Sequence, residues 1–169
     1  IYRTKKSIET VQKVFSYYTD NGDSLFSKIE WIQADITDVP SLENAFEKVI
    51  FVYHAAALVS FDPLAYRTMR QVNIEGTANI VNFCIDKKIQ KLCFVSSIAA
   101  VGERINSTEI NEENEWGVGK NSSGYSITKY GAEMEVWRAT QEGVDVVIVN
   151  PGIILGAGFW TLSSGKFFT

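Results

Sequence analysis

Short apolar runs alternate with longer amphipathic stretches along this chain. Residues 29–34 (Ile-Glu-Trp-Ile-Gln-Ala) read as a strand, and Pro40 opens a helix that runs to about residue 49. Val49-Ile50-Phe51-Val52-Tyr53 is a continuous apolar run, the mark of a strand buried on both faces. A long helix is predicted over 63–86, with Val72, Thr77, Ile80, Val81 and Cys84 along one side. The next strand is 91–96, and the polar stretch 106–123, without periodicity, reads as a loop. A helix over 125–141 ends at Gly143 in a C′ position, and a second buried strand, 144–149, closes on Asn150-Pro151-Gly152.

Strands alternating with helices imply right-handed crossovers and a parallel sheet with helices on both faces. In such sheets ligands lie beyond the carboxyl ends of the strands. Small and polar residues gather at those ends: Asp35, Ala55-Ala56-Ala57, Ser96-Ser97 and Pro151-Gly152. The chain carries no internal repeat and no low-complexity tract.

At 169 residues the chain is one domain with room for a real core. Its net charge of -4, with no Lys/Arg cluster, argues against a nucleic-acid-binding surface. No apolar run approaches the ~20 residues of a membrane span, and nothing resembles a signal peptide. Cys84 and Cys93 both lie in apolar segments and read as small buried thiols in a reducing compartment, so a cytoplasmic protein is expected. His54 is the only histidine, which excludes a zinc site built on histidines and leaves no metal centre to predict. At the end of a buried strand it reads as a satisfied structural residue.

The chemistry concentrates in Gly124-Tyr125-Ser126-Ile127-Thr128-Lys129 and the earlier pair Ser96-Ser97. On a helix, i and i+4 share a face, so the phenol and the ammonium can reach one point. A free tyrosine titrates near pH ~10, too high for proton transfer at neutrality. A neighbouring lysine cation favours the phenolate, and a serine hydroxyl can hold a carbonyl oxygen beside it. Glu133 and Glu135, on the same helix, are most simply a solvated face. Gly152, Gly156 and Gly158 read as ordinary loop glycines, because the irregular stretch 159–165 offers no helix to complete a phosphate loop.

Several ordered motifs extend this set over nearly the whole chain. Phe-Val-Ser-Ser-Ile-Ala-Ala-Val-Gly precedes Tyr-x-x-x-Lys, and Asn-Pro-Gly closes the next strand. Ala34-Asp35-Ile36 follows one strand, His54-Ala55-Ala56 the next, and Val72-Asn73-Ile74-Glu75-Gly76-Thr77 lies in the long helix. Together they resemble the extended short-chain dehydrogenase/reductases, which include sugar-nucleotide epimerases, dehydratases, dihydroflavonol-type reductases and 3β-hydroxysteroid dehydrogenases. The resemblance implies an α/β, Rossmann-type doubly wound parallel sheet over 1–169 that binds a nicotinamide cofactor. It implies Tyr125 as the acid/base group, Lys129 as its partner and a contact of the nicotinamide ribose, and Ser97 as the holder of the substrate oxygen. Ser96 is expected to face a core or backbone partner. Asp35 and Ile36 would flank the adenine, although Asp35 could also simply start a turn toward Thr37. Ala55 and Ala56 would let the backbone approach the cofactor, Asn73 would bridge backbone and the lysine region, and Pro151 and Gly152 would pass the carboxamide.

Ile1-Tyr2-Arg3-Thr4-Lys5-Lys6 resembles the end of the family's second strand and the turn beyond it. Arg3, helped by Lys5 or Lys6, offers a fork for a 2′-phosphate, so NADP(H) is expected ahead of NAD(H). The family's Gly-rich turn, its first strand and helix, and the C-terminal substrate domain are not in this sequence. Without that central strand, backbone groups would lack partners at roughly 1–3 kcal/mol each, so these residues are expected to be a portion of a longer chain. The expected activity is hydride transfer between NADP(H) and a small-molecule carbonyl or secondary alcohol. The alternatives are a sugar-nucleotide epimerase or dehydratase with tightly bound NAD, and a non-catalytic dinucleotide sensor. A homodimer through the helices near 63–86 and 125–141 is the expected assembly, with Tyr66, Met69, Val136 and Trp137 as interface or core candidates. The loop from 103 to 123, with Glu112, Glu113 and Trp116, is expected to shape one wall of the pocket.

Overall fold

The computed structural model describes residues 1–102, 111, 112, 114, 116, 117 and 122–158. The predicted loop 106–123 lies mostly outside the described residues, Glu113 included, and the stretch 159–165 entirely so. The chain forms two compact units, one holding 1–47 with 153–158 of the C-terminal stretch, the other 48–152.

The first unit opens on helices α1 (Lys5–Tyr18) and α2 (Gly22–Phe26), neither anticipated from the sequence. In α1, Ile8, Val11 and Phe15 recur at helical spacing and are half-buried, while Lys5, Lys6, Glu9, Gln12 and Lys13 are exposed. Phe15 meets Phe26 edge-on at 6.0 Å, Phe26 meets Trp31 at 5.6 Å, and Trp31 meets Tyr2 at 6.3 Å, an aromatic chain that ties the segments together. The predicted strand 29–34 is reduced to one parallel bridge, Tyr2 to Gln33. Tyr2 N donates to the Ile32 carbonyl and Ala34 N to the Tyr2 carbonyl, both at 3.0 Å. The ladder stops there because the chain turns into α1 at Lys5. Helix α3 (Val39–Ala45) buries Leu42 and ends earlier than expected. Lys48, at φ 59°, is in the left-handed region, which an α-helix cannot pass through.

The second unit is a three-stranded parallel sheet in the order β1-β2-β3: β1 (Phe51–His54), β2 (Lys91–Val95) and β3 (Asp145–Val149). Register runs Tyr53–Cys93–Val147 and His54–Phe94–Ile148 across it. Helices α4 (Tyr66–Met69), α5 (Gly76–Asp86) and α6 (Gly124–Gln141) supply its helical layer. Buried Met69, Ile80, Val81, Cys84, Leu92, Phe94, Ala132 and Val136 form the core. The expectation that the strands are buried on both faces does not hold. Phe51, Tyr53, Val147 and Val149 are exposed, because they alternate with the helix-facing side chains of the same strands.

The long helix predicted over 63–86 is broken into pieces. A 3₁₀ turn, Pro63–Ala65, leads into α4, and a π-helical turn, Arg70–Glu75, joins α4 to α5. Thr77 Oγ1 donates back to the Asn73 carbonyl at 2.5 Å, side-chain bonding of the kind that bends helices. Gly131 lets α6 lie close to this turn: a Cβ there would stand 2.6 Å from Ile74 Cδ1. Met69 and Val136 are core, whereas Tyr66 and Trp137 are exposed. Among the described residues no helix is long and apolar enough to cross a membrane, and both cysteines are free thiols.

Candidate active site

Helix α6 starts on a built cap. Ser123 is extended, and its Oγ accepts from Ser126 N at 3.0 Å, which satisfies one of the free amides of the first turn. Tyr125 therefore sits in the first turn of α6, with Lys129 one turn on. Tyr125 is half-buried, its ring edge-on to Phe61 at 6.3 Å. Lys129 is buried at 2% exposure. Its ammonium donates to the Val95 carbonyl at 2.9 Å and lies 4.5 Å from the centre of the Phe94 ring, two contacts that offset the loss of water. Burial pulls the Lys129 pKa down to about 8, while the Glu133 carboxylate pushes it back up.

Val95 ends β2, and Ser97 follows two residues later in extended conformation. Ser97 Oγ accepts from Ala99 N at 3.1 Å, capping the 3₁₀ turn Ile98–Ala100. The hydroxyl proton is not used by that bond and remains available to a further acceptor. Ile98 N donates to the Pro151 carbonyl at 3.0 Å, which fixes the Pro151–Gly152 passage beside the serine turn. A side chain at Gly152 would meet nothing within 4 Å, so no steric demand for glycine acts there. Ala55 and Ala56 are exposed beyond the carboxyl end of β1. Tyr125, Lys129 and Ser97 thus belong to one edge of the second unit. Among the described residues no hydrogen bond joins the three directly.

Asn73, 1% exposed, clamps backbone with both ends of its amide. Its Oδ1 accepts from Leu58 N at 2.7 Å, and its Nδ2 donates to the Leu58 carbonyl at 2.9 Å and to Thr128 Oγ1 at 3.0 Å. His54 is buried, paired through Nε2 with Thr77 Oγ1 at 2.9 Å, and its ring lies tilted against Phe94 at 5.3 Å. Burial, and then the Lys129 charge, lower its pKa to about 4.

Glu133 is the residue sequence reasoning missed. The carboxylate is not part of a solvated face: its Oε2 accepts from Ser96 Oγ at 2.6 Å and from Asn150 Nδ2 at 3.0 Å. Ser96 is buried, and its hydroxyl partner is this carboxylate rather than core or backbone. The signal was present, since 125, 129 and 133 repeat every four residues along one helix face. Trp116 is likewise placed, stacked face to face on Tyr130 of α6 at 4.1 Å. Glu112 is exposed.

In the first unit, Arg3, Gln33, Ala34, Asp35, Asp38 and Ser41 line an open cleft of about 360 Å³. Asp35 Oδ1 accepts from Thr37 N at 2.9 Å and Thr37 Oγ1 at 2.8 Å, the local turn that the sequence also allowed. The Thr37 amide holds the Asp35 pKa below the usual carboxylate range, against partial burial and with help from the Thr37 hydroxyl and Arg3. Asp35 Oδ2 faces the Arg3 guanidinium at 3.8 Å. Ile36 is buried in the core, and its side chain does not line the cleft.

Comparison with known proteins gives the family of the chain. The family model described as male sterility protein, an NAD-binding family, matches residues 3–166. The chain belongs to the extended short-chain dehydrogenase/reductases. Among relatives in this family, a Synechocystis protein named as a putative dihydroflavonol 4-reductase is 30% identical over 128 residues, covering 76% of this chain and 37% of its own length. Cinnamoyl-CoA reductase 1 of Petunia hybrida is 31% identical over 131 residues, covering 73% of this chain and 38% of the relative. The terminal R domain from the myxalamid PKS-NRPS pathway superposes with a TM-score of 0.71 at 28% identity, covering 89% of this chain and 40% of that one. The chain therefore spans less than half the length of these dehydrogenase/reductase relatives.

Proposed function

We propose that this chain carries the proton-transfer and adenosine-binding parts of an NADP(H)-dependent oxidoreductase that interconverts a carbonyl and an alcohol. The carrying observation is the placement of Tyr125 and Lys129 one turn apart on α6, with Ser97 just beyond the end of β2 that Lys129 holds. A nicotinamide dinucleotide, when bound, supplies or accepts the hydride. Tyr125 donates its phenolic proton to the substrate oxygen in reduction and takes it back in oxidation. Ser97 donates a hydrogen bond to that oxygen, and the Lys129 ammonium favours the phenolate through its charge.

The residues present fit such a cofactor at its adenosine end. The open cleft in the first unit has an acidic wall in Asp35, whose Oδ2 is not used by the Thr37 turn, and a guanidinium in Arg3. Arg3 is exposed, and Lys5 and Lys6 open α1 beside it in sequence with no acid in that first turn, a setting suited to a 2′-phosphate. Ile36 would serve through its backbone. Ala55, Ala56, Pro151 and Gly152 would line the cofactor's path, and Asn73 would brace α6 behind Lys129. Assembly as a dimer through α4, α5 and α6, with Tyr66 and Trp137 outward, and a cytoplasmic setting for the free thiols belong to the same reading.

A second reading, reduction of a thioester carbonyl to an aldehyde with release of thiol, draws support from the likeness to cinnamoyl-CoA reductase. The epimerase or dehydratase alternative has less behind it, since Ile98-Ala99-Ala100 places no acidic residue beside Ser97. The test is a thermal-shift comparison of NADP with NAD on the intact protein, then NADPH oxidation against panels of aldehydes, ketones and acyl-CoA thioesters. Oxidation with an aldehyde or ketone supports the first reading. Oxidation with thiol release supports the second. Binding without oxidation across all panels would refute both.

A further inference from the structure

Glu133 makes bonds that neither the acid/base chemistry nor the cofactor requires, and it makes them at the reactive edge. Its Oε2 receives the Ser96 hydroxyl at 2.6 Å, within the range of a charge-assisted O–H···O⁻ bond. The same oxygen receives Asn150 Nδ2 at 3.0 Å, and that amide nitrogen also donates to the Ser97 carbonyl at 3.1 Å. Ser96 lies one residue past β2 and Asn150 one residue past β3. One carboxylate therefore joins the carboxyl ends of two neighbouring strands to α6, at the point where the chain enters the Ser97 turn. The backbone bond from Ser96 N to the Val149 carbonyl at 2.8 Å continues the sheet ladder to the same point.

We propose that Glu133 is a positioning residue: it fixes the Ser97 turn against α6 and places a negative charge one helical turn from Lys129. The inference deepens the reading of Ser97, Tyr125 and Lys129 as the proton-transfer set and rests on it for its catalytic meaning. The groups that act on the Lys129 ammonium are the Val95 carbonyl and Phe94 of β2, His54 of β1 and, one turn later on its own helix, Glu133; Tyr125 stands one turn earlier in α6. His54 is neutral over the working range, so Glu133 is the full charge opposing the burial of Lys129. A purely structural glutamate would matter to folding alone. A positioning glutamate must also move the protonation of Lys129.

The experiment follows the titration of Lys129 by NMR in the intact protein with labelled lysine, assigned by its loss in Lys129→Arg. It also measures NADPH affinity by fluorescence across pH 6 to 10. Glu133→Gln retains an amide oxygen to accept from Ser96 and Asn150 but removes the charge. Its Lys129 midpoint is expected to fall by about one pH unit, the low end of the effect of a nearby opposite charge. NADPH affinity should then be several-fold weaker than wild type between the two midpoints, and near wild type below both and above both, where Lys129 carries the same charge in the two proteins. Ser96→Ala keeps the charge and removes one tether, so it should leave the midpoint in place. A Glu133→Gln midpoint equal to that of wild type overturns the proposal, whatever the protein's stability. Wild-type protein that fails to bind NADPH defeats the oxidoreductase reading instead, while the Lys129 titration still judges Glu133.

Discussion

The Lys129 ammonium donates to the Val95 carbonyl at 2.9 Å, so the charge proposed to act on Tyr125 is also bolted to the strand that leads into Ser97. Burying that charge costs stability even with a carbonyl and an aromatic face beside it. Lys129→Met keeps most of the aliphatic volume and removes the charge. Turnover should fall by roughly 10²-fold or more, the scale of lost acid–base assistance. The melting temperature should hold or rise, because the cost of taking the ammonium out of water is removed with the charge. A variant that melts much earlier and keeps its turnover contradicts the assignment.

Tyr125→Phe separates the proton from the ring. The ring contact with Phe61 at 6.3 Å is retained, so packing should change little. Loss of the hydroxyl should lower kcat by roughly 10²–10⁴-fold while the Kd for NADPH stays within a few-fold. Steady-state kinetics with parallel fluorescence titration reads both. Turnover within a few-fold of wild type removes Tyr125 from the mechanism.

Arg3 is paired with Asp35 at 3.8 Å but largely in solvent, so the pair adds little to stability. Arg3→Asp should therefore leave the melting temperature within a degree or two. It should weaken NADP affinity by about tenfold or more through loss of a charge-assisted phosphate contact, and bring NAD to parity or better. Isothermal titration with the two dinucleotides decides it, and unchanged selectivity moves 2′-phosphate recognition elsewhere.

What the sequence disclosed follows from the reach of each interaction. β2 and α6 were legible because their patterns are local: a continuous apolar run, and a Tyr-x-x-x-Lys repeat closed by Gly143 at φ 92°. Helix α1 was hidden, although Ile8, Val11 and Phe15 keep helical spacing, because basic residues at its start read as a turn. The π turn at Arg70–Glu75 could not be seen, since Asn73 holds Leu58 and Thr128, partners distant in sequence. Glu133 was misread for the same reason: Ser96 and Asn150 lie 37 and 17 residues away. Exposure of Phe51 and Tyr53 was also misread, because an apolar strand residue does not announce which face of its sheet is covered.

Asn73 offers a prediction on stability alone. Asn73→Ala leaves Leu58 N and its carbonyl without their side-chain partners in a half-buried setting, at up to about 1–3 kcal/mol for each unsatisfied group. Denaturant unfolding should show a loss of roughly 2–4 kcal/mol on that scale. Asn73→Asp should recover part of it, because Oδ1 still accepts from Leu58 N while the donor to the carbonyl is lost. Equal stability of all three proteins would falsify the clamp.

His54 makes the fold weaker toward acid. Its ordinary value is 6.5, and in the folded chain burial and the Lys129 charge bring it to about 4. Between those values the unfolded chain binds more protons than the folded one, so stability rises with pH through this window and is lost as pH falls from 6.5 toward 4. The full loss is roughly 3 kcal/mol, and below the lower value His54 contributes no further slope. His54→Asn cannot titrate there, and its stability should be lower at neutrality yet flatter between pH 6.5 and 4 once other carboxylates are accounted for. Urea midpoints for the two proteins at half-unit pH steps give the comparison. Parallel curves across that window would mean that His54 is already protonated in the folded protein, and would overturn the reading that its burial and the Lys129 charge keep it neutral.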